Sequence, residues 1–338
     1  MKIKQYRISI FIVIFALFAI STFWTMQSLA FIIFLSVLFA VLLRPLVDLL
    51  SKKLNRTLAA GIALLTFISA FILLITIITQ SFLPAFTKFI TDFPTISNQF
   101  FERTNALDLP FISADLDNIW NELFNTGIVA LKSSLEIIFS LFNKVIDGIV
   151  ILFVTFYLIQ DHDNIKSQII NLFPQNAKER ILNLIKNILT ALHAYLKGQL
   201  IICLNTGLIV FIYFILTDIP YAPVFAVISA VAEFVPVLGP TVASVFGVLI
   251  ALTISPVLAA QTALFYLILT QVNHNVVYPN IIGKTLNLHP ITIILGIVLG
   301  GEILGAKGMF LAVPAVTIVK IIIADIHDDY VKKQDMLE

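Results

Sequence analysis

From Leu58 to Thr79 no side chain carries a charge, and Ile8–Trp24, Ser28–Leu43, Val145–Ile159 and Leu200–Leu216 share that character, with Asp147 at the outer end of the fourth of these. A helix that crosses a bilayer needs about 20 mostly apolar residues. Backbone in hydrocarbon must also satisfy its own N–H and C=O groups, which leaves helices as the form for such runs. The expected fold is therefore all-α, a polytopic helical integral membrane protein. Composition agrees: 12% of residues are charged and 59% hydrophobic, against about 25% charged in ordinary soluble domains. A soluble two-domain enzyme of 338 residues is excluded on that ground. A net charge of +1 offers no basic field for nucleic acid. Cys203 is the only cysteine, so neither an internal disulfide framework nor a cysteine-rich metal cluster is expected.

The last third, from Tyr221 to Asp325, is almost continuously apolar. It is punctuated by Pro236, Gly239 and Pro240, by Asn273–Asn275 and Pro279, and by Gly300, Gly301, Gly305 and Gly308. No clean series of full-length spans fits it, and the breaks predict broken or re-entrant segments. Lys2, Lys4 and Arg7 before the first run resemble a secretory signal. The chain passes straight into a second span, so an uncleaved first helix is the expectation.

Basic residues set the orientation. Arg44, Lys52, Lys53 and Arg56 lie between the second and third spans, and Lys166, Lys178, Arg180, Lys186 and Lys197 between the fourth and fifth. The stretch from Gln80 to Lys144 is instead acidic. Both termini are then expected in the cytoplasm. Residues 1–79 hold the first three transmembrane helices and 80–144 an external amphipathic helical insert. Residues 145–199 hold the fourth transmembrane helix and a cytoplasmic helical linker, 200–325 a C-terminal transport core, and 326–338 a cytoplasmic tail. The insert repeats Ile128, Leu131, Leu135 and Ile138 at helical spacing, which suits the outer membrane surface, a neighbouring subunit or its own core equally. Asp161, His162 and Asp163 are consecutive and cannot converge on one ion, so they are read as a solvated helix start with Asp163 as a cap.

Two carboxylates fall inside the apolar third: Glu233 in ISAVAEFVPVLGP and Glu302 in ILGIVLGGEILGAKG. A charge at membrane depth costs at least about 2.5–3.5 kcal/mol and marks a functional position by default. Pro220 precedes Glu233, and Pro290 precedes Glu302, at nearly equal distances, and a Gly or Pro break follows each. Matching broken segments point to a transport site. Between them Gln271, His274 and Tyr278 lie three and four apart, sharing a face if the helix is regular, with Asn273 and Asn275 beside them. Amides and an imidazole can hydrogen-bond a polar solute, and His274 could titrate near neutral pH. His289 before Pro290 reads as a cap. No GxxxxGK[ST], HExxH or GxSxG motif is present, which argues against ATP-driven transport and against an enzyme.

Tyr195 with Gly198 and Gln199, Ile219–Pro220–Tyr221, and Glu233 through Pro240 resemble the autoinducer-2 exporter family of permeases, as do Leu288–His289–Pro290 and the series Gly300, Gly301, Gly305, Gly308 and Pro314. The resemblance implies about eight membrane helices and a multi-pass protein of the bacterial inner membrane. It also implies a homo-oligomer, pentameric in this family, and export of a small solute in quorum sensing without a cofactor. Some relatives are assigned sodium–proton antiport. Asn273 stands where many relatives are expected to carry an acidic residue, which weakens a cation-coupled reading.

The expected function is secondary transport of a small polar solute by alternating access. Glu233 and Glu302 would be proton or solute sites, and Gln271, Asn273 and His274 would be solute contacts. Pro236, Gly239, Pro240, Gly300, Gly301 and Gly305 would form the helix breaks. The expected partners are the solute, membrane lipid and a coupling proton or sodium ion, with no metal site. A monovalent cation–proton antiporter and a non-transporting membrane scaffold are the alternatives.

Overall fold

A computed structural model describes residues 26–82, 84–89, 145–235, 238–281 and 288–335, with Ile14, Ser21, Thr91, Asp92 and Thr95. Among these residues there are helices and no strands, as an all-α polytopic membrane protein requires. The helices are α1 (Gln27–Leu50), α2 (Arg56–Ile77), α3 (Val145–Gln160), α4 (His162–Asn171), α5 (Lys178–Leu216), α6 (Ala222–Ala232), α7 (Leu238–Ile254), α8 (Pro256–Val272), α9 (Tyr278–Ile281), α10 (Pro290–Leu304) and α11 (Ala306–Asp335). By length and composition α1, α2, α5 and the segment Lys307–Val331 of α11 can each cross a membrane, while α3, α6, α7 and α10 are shorter and equally apolar. The expected first span, nearly all of the 80–144 insert and Pro236 lie outside the described residues.

The chain forms two compact units, one drawn from Met1–Ile68, Ser140–Lys197 and Thr285–Glu338, the other from Ser69–Phe139 and Gly198–Lys284. In the first unit α1 packs on α3 through small polar residues. Ser36 Oγ donates to Ile32 O at 2.7 Å and Ile151 O at 3.3 Å, and Thr155 Oγ1 donates to Ser36 O at 3.4 Å. Ala59, Ala60 and Ala63 of α2 are wholly buried beside Leu43, Val47 and Ile159. Small side chains let apolar helices approach where no hydrophobic effect drives them together.

α4 begins with a chain of polar contacts. Arg44 Nη1 donates to His162 Nε2 at 2.8 Å, His162 Nδ1 to Asp163 Oδ1 at 2.9 Å, and Arg56 Nη1 to Asp163 Oδ2 at 2.7 Å. Arginine only donates, so His162 carries its proton on Nδ1. The His162 hydrogen bond, with Arg56 beside it, holds the Asp163 carboxyl below the usual carboxylate range. Asp163 thus accepts from side chains and is not the expected helix cap; the residue at the cap position is Asp161, whose side chain makes no capping bond.

α10 and α11 form a tight antiparallel hairpin. His289 caps α10 through Nδ1, which accepts from Ile291 N–H at 3.3 Å, and Pro290 follows at the first helical position. Gly305 makes the turn at φ 59°. Gly300 and Gly301 are not breaks: both sit inside α10. A Cβ on Gly300 would strike the Gly308 carbonyl, and one on Gly301 would meet Met309 Cε at 2.7 Å. They are the places where two backbones touch.

At the far end of α11, Arg180 of α5 reaches two carboxylates, with Nη2–Asp325 Oδ2 and Nη1–Asp329 Oδ2 both at 2.7 Å. All three side chains are largely buried. Charge-assisted bonds of this kind contribute about 1.5–3 kcal/mol. Arg180→Gln should lower unfolding stability by about 2–3 kcal/mol, read as a shifted denaturation midpoint of the detergent-solubilised protein. An unchanged midpoint would show that the clasp contributes nothing.

In the second unit the later part of α5 packs with α6, α7 and α8 around Phe214, Phe225 and Tyr266, joined by Phe82, Phe86 and Phe89. Phe214 and Phe225 stack with centroids 4.9 Å apart, and Phe89 meets Phe225 edge-on at 6.0 Å. Before α6, Tyr221 adopts φ 64°, and its hydroxyl donates to Asp92 Oδ2 at 2.7 Å.

A buried polar site at a helix break

α6 has 11 residues, too few to cross a bilayer. It ends at Ala232, and the chain leaves helical geometry over Glu233–Val235 before α7 begins at Leu238. Gly239 and Pro240 therefore open α7 rather than interrupt a helix. Proline suits the first turn, where its missing N–H has no partner to lose, and a Cβ on Gly239 would strike the Ala232 carbonyl. Unwound backbone at membrane depth needs partners for its freed carbonyls. Gln199 of α5 supplies one, its Nε2 donating to Glu233 O at 2.7 Å.

The Glu233 side chain is 4% exposed. Its Oε1 accepts from Thr206 Oγ1 at 3.0 Å and from Asn273 Nδ2 at 3.0 Å. Asn273 Nδ2 also donates to Thr206 Oγ1 at 2.8 Å, closing a three-membered ring of polar groups. Gln199 Oε1 accepts from Tyr278 Oη at 3.4 Å, and Cys203 Sγ lies 3.7 Å from Gln199 Nε2. Gln199, Thr206 and Asn273 are at most 3% exposed. Among the described residues one buried side-chain atom is left over: Asn273 Oδ1 makes no hydrogen bond. Buried acceptors without a donor are rare in native structures and ask for an explanation.

A change of helical pitch builds the right-hand side of this site. α8 runs straight into a π-helical turn at Asn273–Val277. The Tyr278 N–H donates to Asn273 O, five residues back, so Tyr278 sits nearly above Asn273 instead of about two-fifths of a turn past it. Single π turns inside α-helices are frequent at functional sites. Across this turn His274 and Tyr278 still share a face, as their spacing predicts, and of Gln271, His274 and Tyr278 it is the Tyr278 hydroxyl that reaches the cluster, through Gln199. Gln271 and His274 are exposed: Gln271 Oε1 accepts from Asn275 Nδ2 at 2.8 Å, and the His274 ring stacks on Tyr278 with centroids 5.5 Å apart.

Of the residues singled out in the sequence, the structure brings Glu233 and Asn273 together. Glu302 lies within the unbroken α10 of the other unit, with its side chain exposed. The similar surroundings of the two glutamates therefore fold differently: one follows a broken helix, and the other continues to the turn at Gly305. Gln199, Cys203 and Thr206 were not among the expected site residues. Their spacing of four and seven on an apolar helix was the available signal, because it forms one polar stripe.

Membrane-length apolar helices, with a buried polar cluster at a helix break, define a polytopic membrane protein of the transporter class. Residues 8–328 match the family described as AI-2E family transporter, and the chain belongs to that family. It is similar to Putative transport protein YueF of Bacillus subtilis strain 168, 29% identical over 316 residues that cover 86% of this chain and 84% of that one. It is also similar to Putative transport protein MJ1177 of Methanocaldococcus jannaschii, 28% identical over 286 residues, 80% and 82% of the two chains. AI-2 transport protein TqsA of Escherichia coli K12 is 29% identical over 128 residues, 38% of this chain and 37% of that one.

Proposed function

We propose that this protein is a secondary transporter that exports a small polar solute by alternating access, and that the solute or its coupling ion meets Glu233 and Asn273 on the way. The observation that carries this reading is the free Asn273 Oδ1 beside the Glu233 carboxylate at a helix break. Two acceptors side by side at membrane depth suit a ligand that brings donors, such as the hydroxyls of a furanosyl molecule. Autoinducer-2 is of that class, and one relative carries it in its name. The same pair of oxygens could instead hold a monovalent cation, which is the antiporter reading. Gln271 and His274, on the exposed side of the π turn, are proposed as contacts on the approach rather than in the site.

The test is flux in proteoliposomes of the purified protein, with and without an imposed pH gradient. Autoinducer-2 flux and sodium-dependent proton flux are followed in parallel for wild type, Glu233→Gln and Glu302→Gln. Solute flux that falls by about a hundredfold in Glu233→Gln supports the reading, since one essential polar contact in the transition between states is worth roughly 2–3 kcal/mol. Sodium-driven proton flux without solute flux replaces the exporter by the antiporter. Loss in Glu302→Gln alone moves the site to α10. Neither flux in folded protein refutes both readings.

A further inference from the structure

A cavity of about 650 Å³ lies in the first unit and is unused by the transport reading. One face of α1 forms its long wall: Val37, Ala40 and Val41 are followed at helical spacing by Arg44 and Asp48. At 1.5 Å of rise per residue that wall is about 17 Å long. Its first half is apolar and is faced by Leu158 of α3 and Leu189 of α5. The charges gather at one end, where Lys52 beyond α1 and Lys166 of α4 join Arg44.

The charge balance at that end is positive. Arg44 lies 3.5 Å from Asp48, and its Nη1 is held by the His162 ring nitrogen, which accepts and so leaves that ring neutral. His193 directs Nδ1 to Val41 O at 3.3 Å. Lys52 and Lys166 make no ion pair with any described residue. Against the single lining carboxylate, Asp48, the mouth therefore keeps two cations in excess. Small polar solutes would find mostly hydrocarbon along the Val37–Val41 half of the wall, where Thr190 and His193 are the polar side chains that line the cavity. An amphiphile finds both of its ends matched, and the volume falls within the range of about 300–1,000 Å³ of small-molecule pockets, room for a headgroup and part of one chain.

We infer that this cavity is a binding site for an anionic phospholipid of the surrounding membrane. The phosphate sits between Lys52, Lys166 and the free edge of Arg44, and an acyl chain lies along Val37, Ala40 and Val41. Basic pockets between helices at the membrane surface take anionic headgroups by this same electrostatics. The bilayer holds such lipids at high local concentration, and the α1 wall runs from the apolar core to the loop where the chain leaves it.

The experiment is lipid retention. The full-length protein is purified in detergent with extended washing, and bound lipid is extracted and identified by mass spectrometry. In parallel, the denaturation midpoint is compared in nanodiscs of phosphatidylglycerol and of phosphatidylcholine. Two variants accompany wild type. Lys52→Gln/Lys166→Gln removes both unpaired charges without touching the Arg44–His162 contact, and Ala40→Phe fills the tail half with the charges intact. Wild type should retain an anionic phospholipid and unfold at a higher temperature in phosphatidylglycerol. The double lysine variant should bind it about thirtyfold more weakly, as expected for roughly 1 kcal/mol per lysine. Ala40→Phe should lose it while still eluting as a folded species. Should Ala40→Phe fail to fold, the lysine variant and the two lipid compositions decide alone. Retention of an unesterified fatty acid instead, equal midpoints in the two lipids, or undiminished retention by the lysine variant would each overturn the inference.

Discussion

Gly308→Val should prevent the protein from accumulating as a monodisperse species in detergent, whereas Gly61→Ala should leave yield and stability unchanged or slightly raised. A Cβ at position 308 would enter the Gly300 carbonyl, and its neighbour Leu304 Cβ is 3.0 Å away. The obstacle is backbone, so rotation of a flexible side chain cannot relieve it. α10 and α11 would have to separate along the line where Gly301 faces Met309 and where a Cβ on Gly296 would come within 2.6 Å of Val316 Cγ2. Overpacking of a core costs about 1–3 kcal/mol when side chains can adjust. With backbone on both sides the cost should exceed about 4 kcal/mol, the range reserved for severe steric mechanisms. Gly61 is the matched control because a Cβ there meets nothing within 4 Å. In its place alanine gains up to about 1 kcal/mol of helix propensity. Size-exclusion profiles and denaturation midpoints of the two variants check the pair. Normal behaviour of Gly308→Val would mean that the hairpin does not need its close approach.

The charge-free runs located the long helices because hydrocarbon tolerates few alternatives to a helix. They did not locate where those helices stop. α1 continues beyond Leu43 to Leu50, carrying Arg44 and Asp48 one turn apart. α5 passes from Lys178 to Leu216 without interruption, although polarity changes sharply near Lys197–Leu200. Hydropathy reports the solvent around a residue, and a helix can leave one solvent for another without changing its backbone. Pro45 and Pro314 make the same point: each lies inside a helix. At membrane depth a proline kink is accommodated by its neighbours.

The site was legible as a pair of polar residues and illegible as a geometry. Glu233 and Asn273 stand out because their surroundings are apolar, and no spacing rule relates positions 40 apart. Gln271, His274 and Tyr278 share a face only if the pitch stays at 3.6 residues per turn. The π turn at Asn273–Val277 breaks that premise only in part: the His274 and Tyr278 rings still stack, while the Tyr278 hydroxyl reaches Gln199 and Gln271 pairs with Asn275. Glu302 shows the opposite failure. Its sequence context matches that of Glu233, but Gly300 and Gly301 serve helix contact instead of a break, and the chain stays helical to Leu304.

The second large effect expected is at Glu233, where leucine and glutamine should differ in stability and agree in activity. Leucine removes the acceptor of two buried donors, Thr206 Oγ1 and Asn273 Nδ2. Each orphaned donor costs about 1–3 kcal/mol, so Glu233→Leu should lose roughly 2–6 kcal/mol of stability. Glutamine keeps one oxygen for those donors and adds an N–H₂ group to the cluster that holds Asn273 Oδ1, the buried acceptor without a donor. Its stability should therefore equal or exceed that of wild type. Transport should be lost in both, because the carboxylate is gone from each. A stable, inactive Glu233→Gln beside a destabilised, inactive Glu233→Leu separates chemistry from scaffolding, as expected where a functional position holds strain that the rest of the fold offsets. Denaturation midpoints and proteoliposome flux on the same preparations supply both readouts. Full flux in Glu233→Gln would remove the carboxylate from the transport path, and equal stability of the two variants would show that Thr206 and Asn273 find other partners.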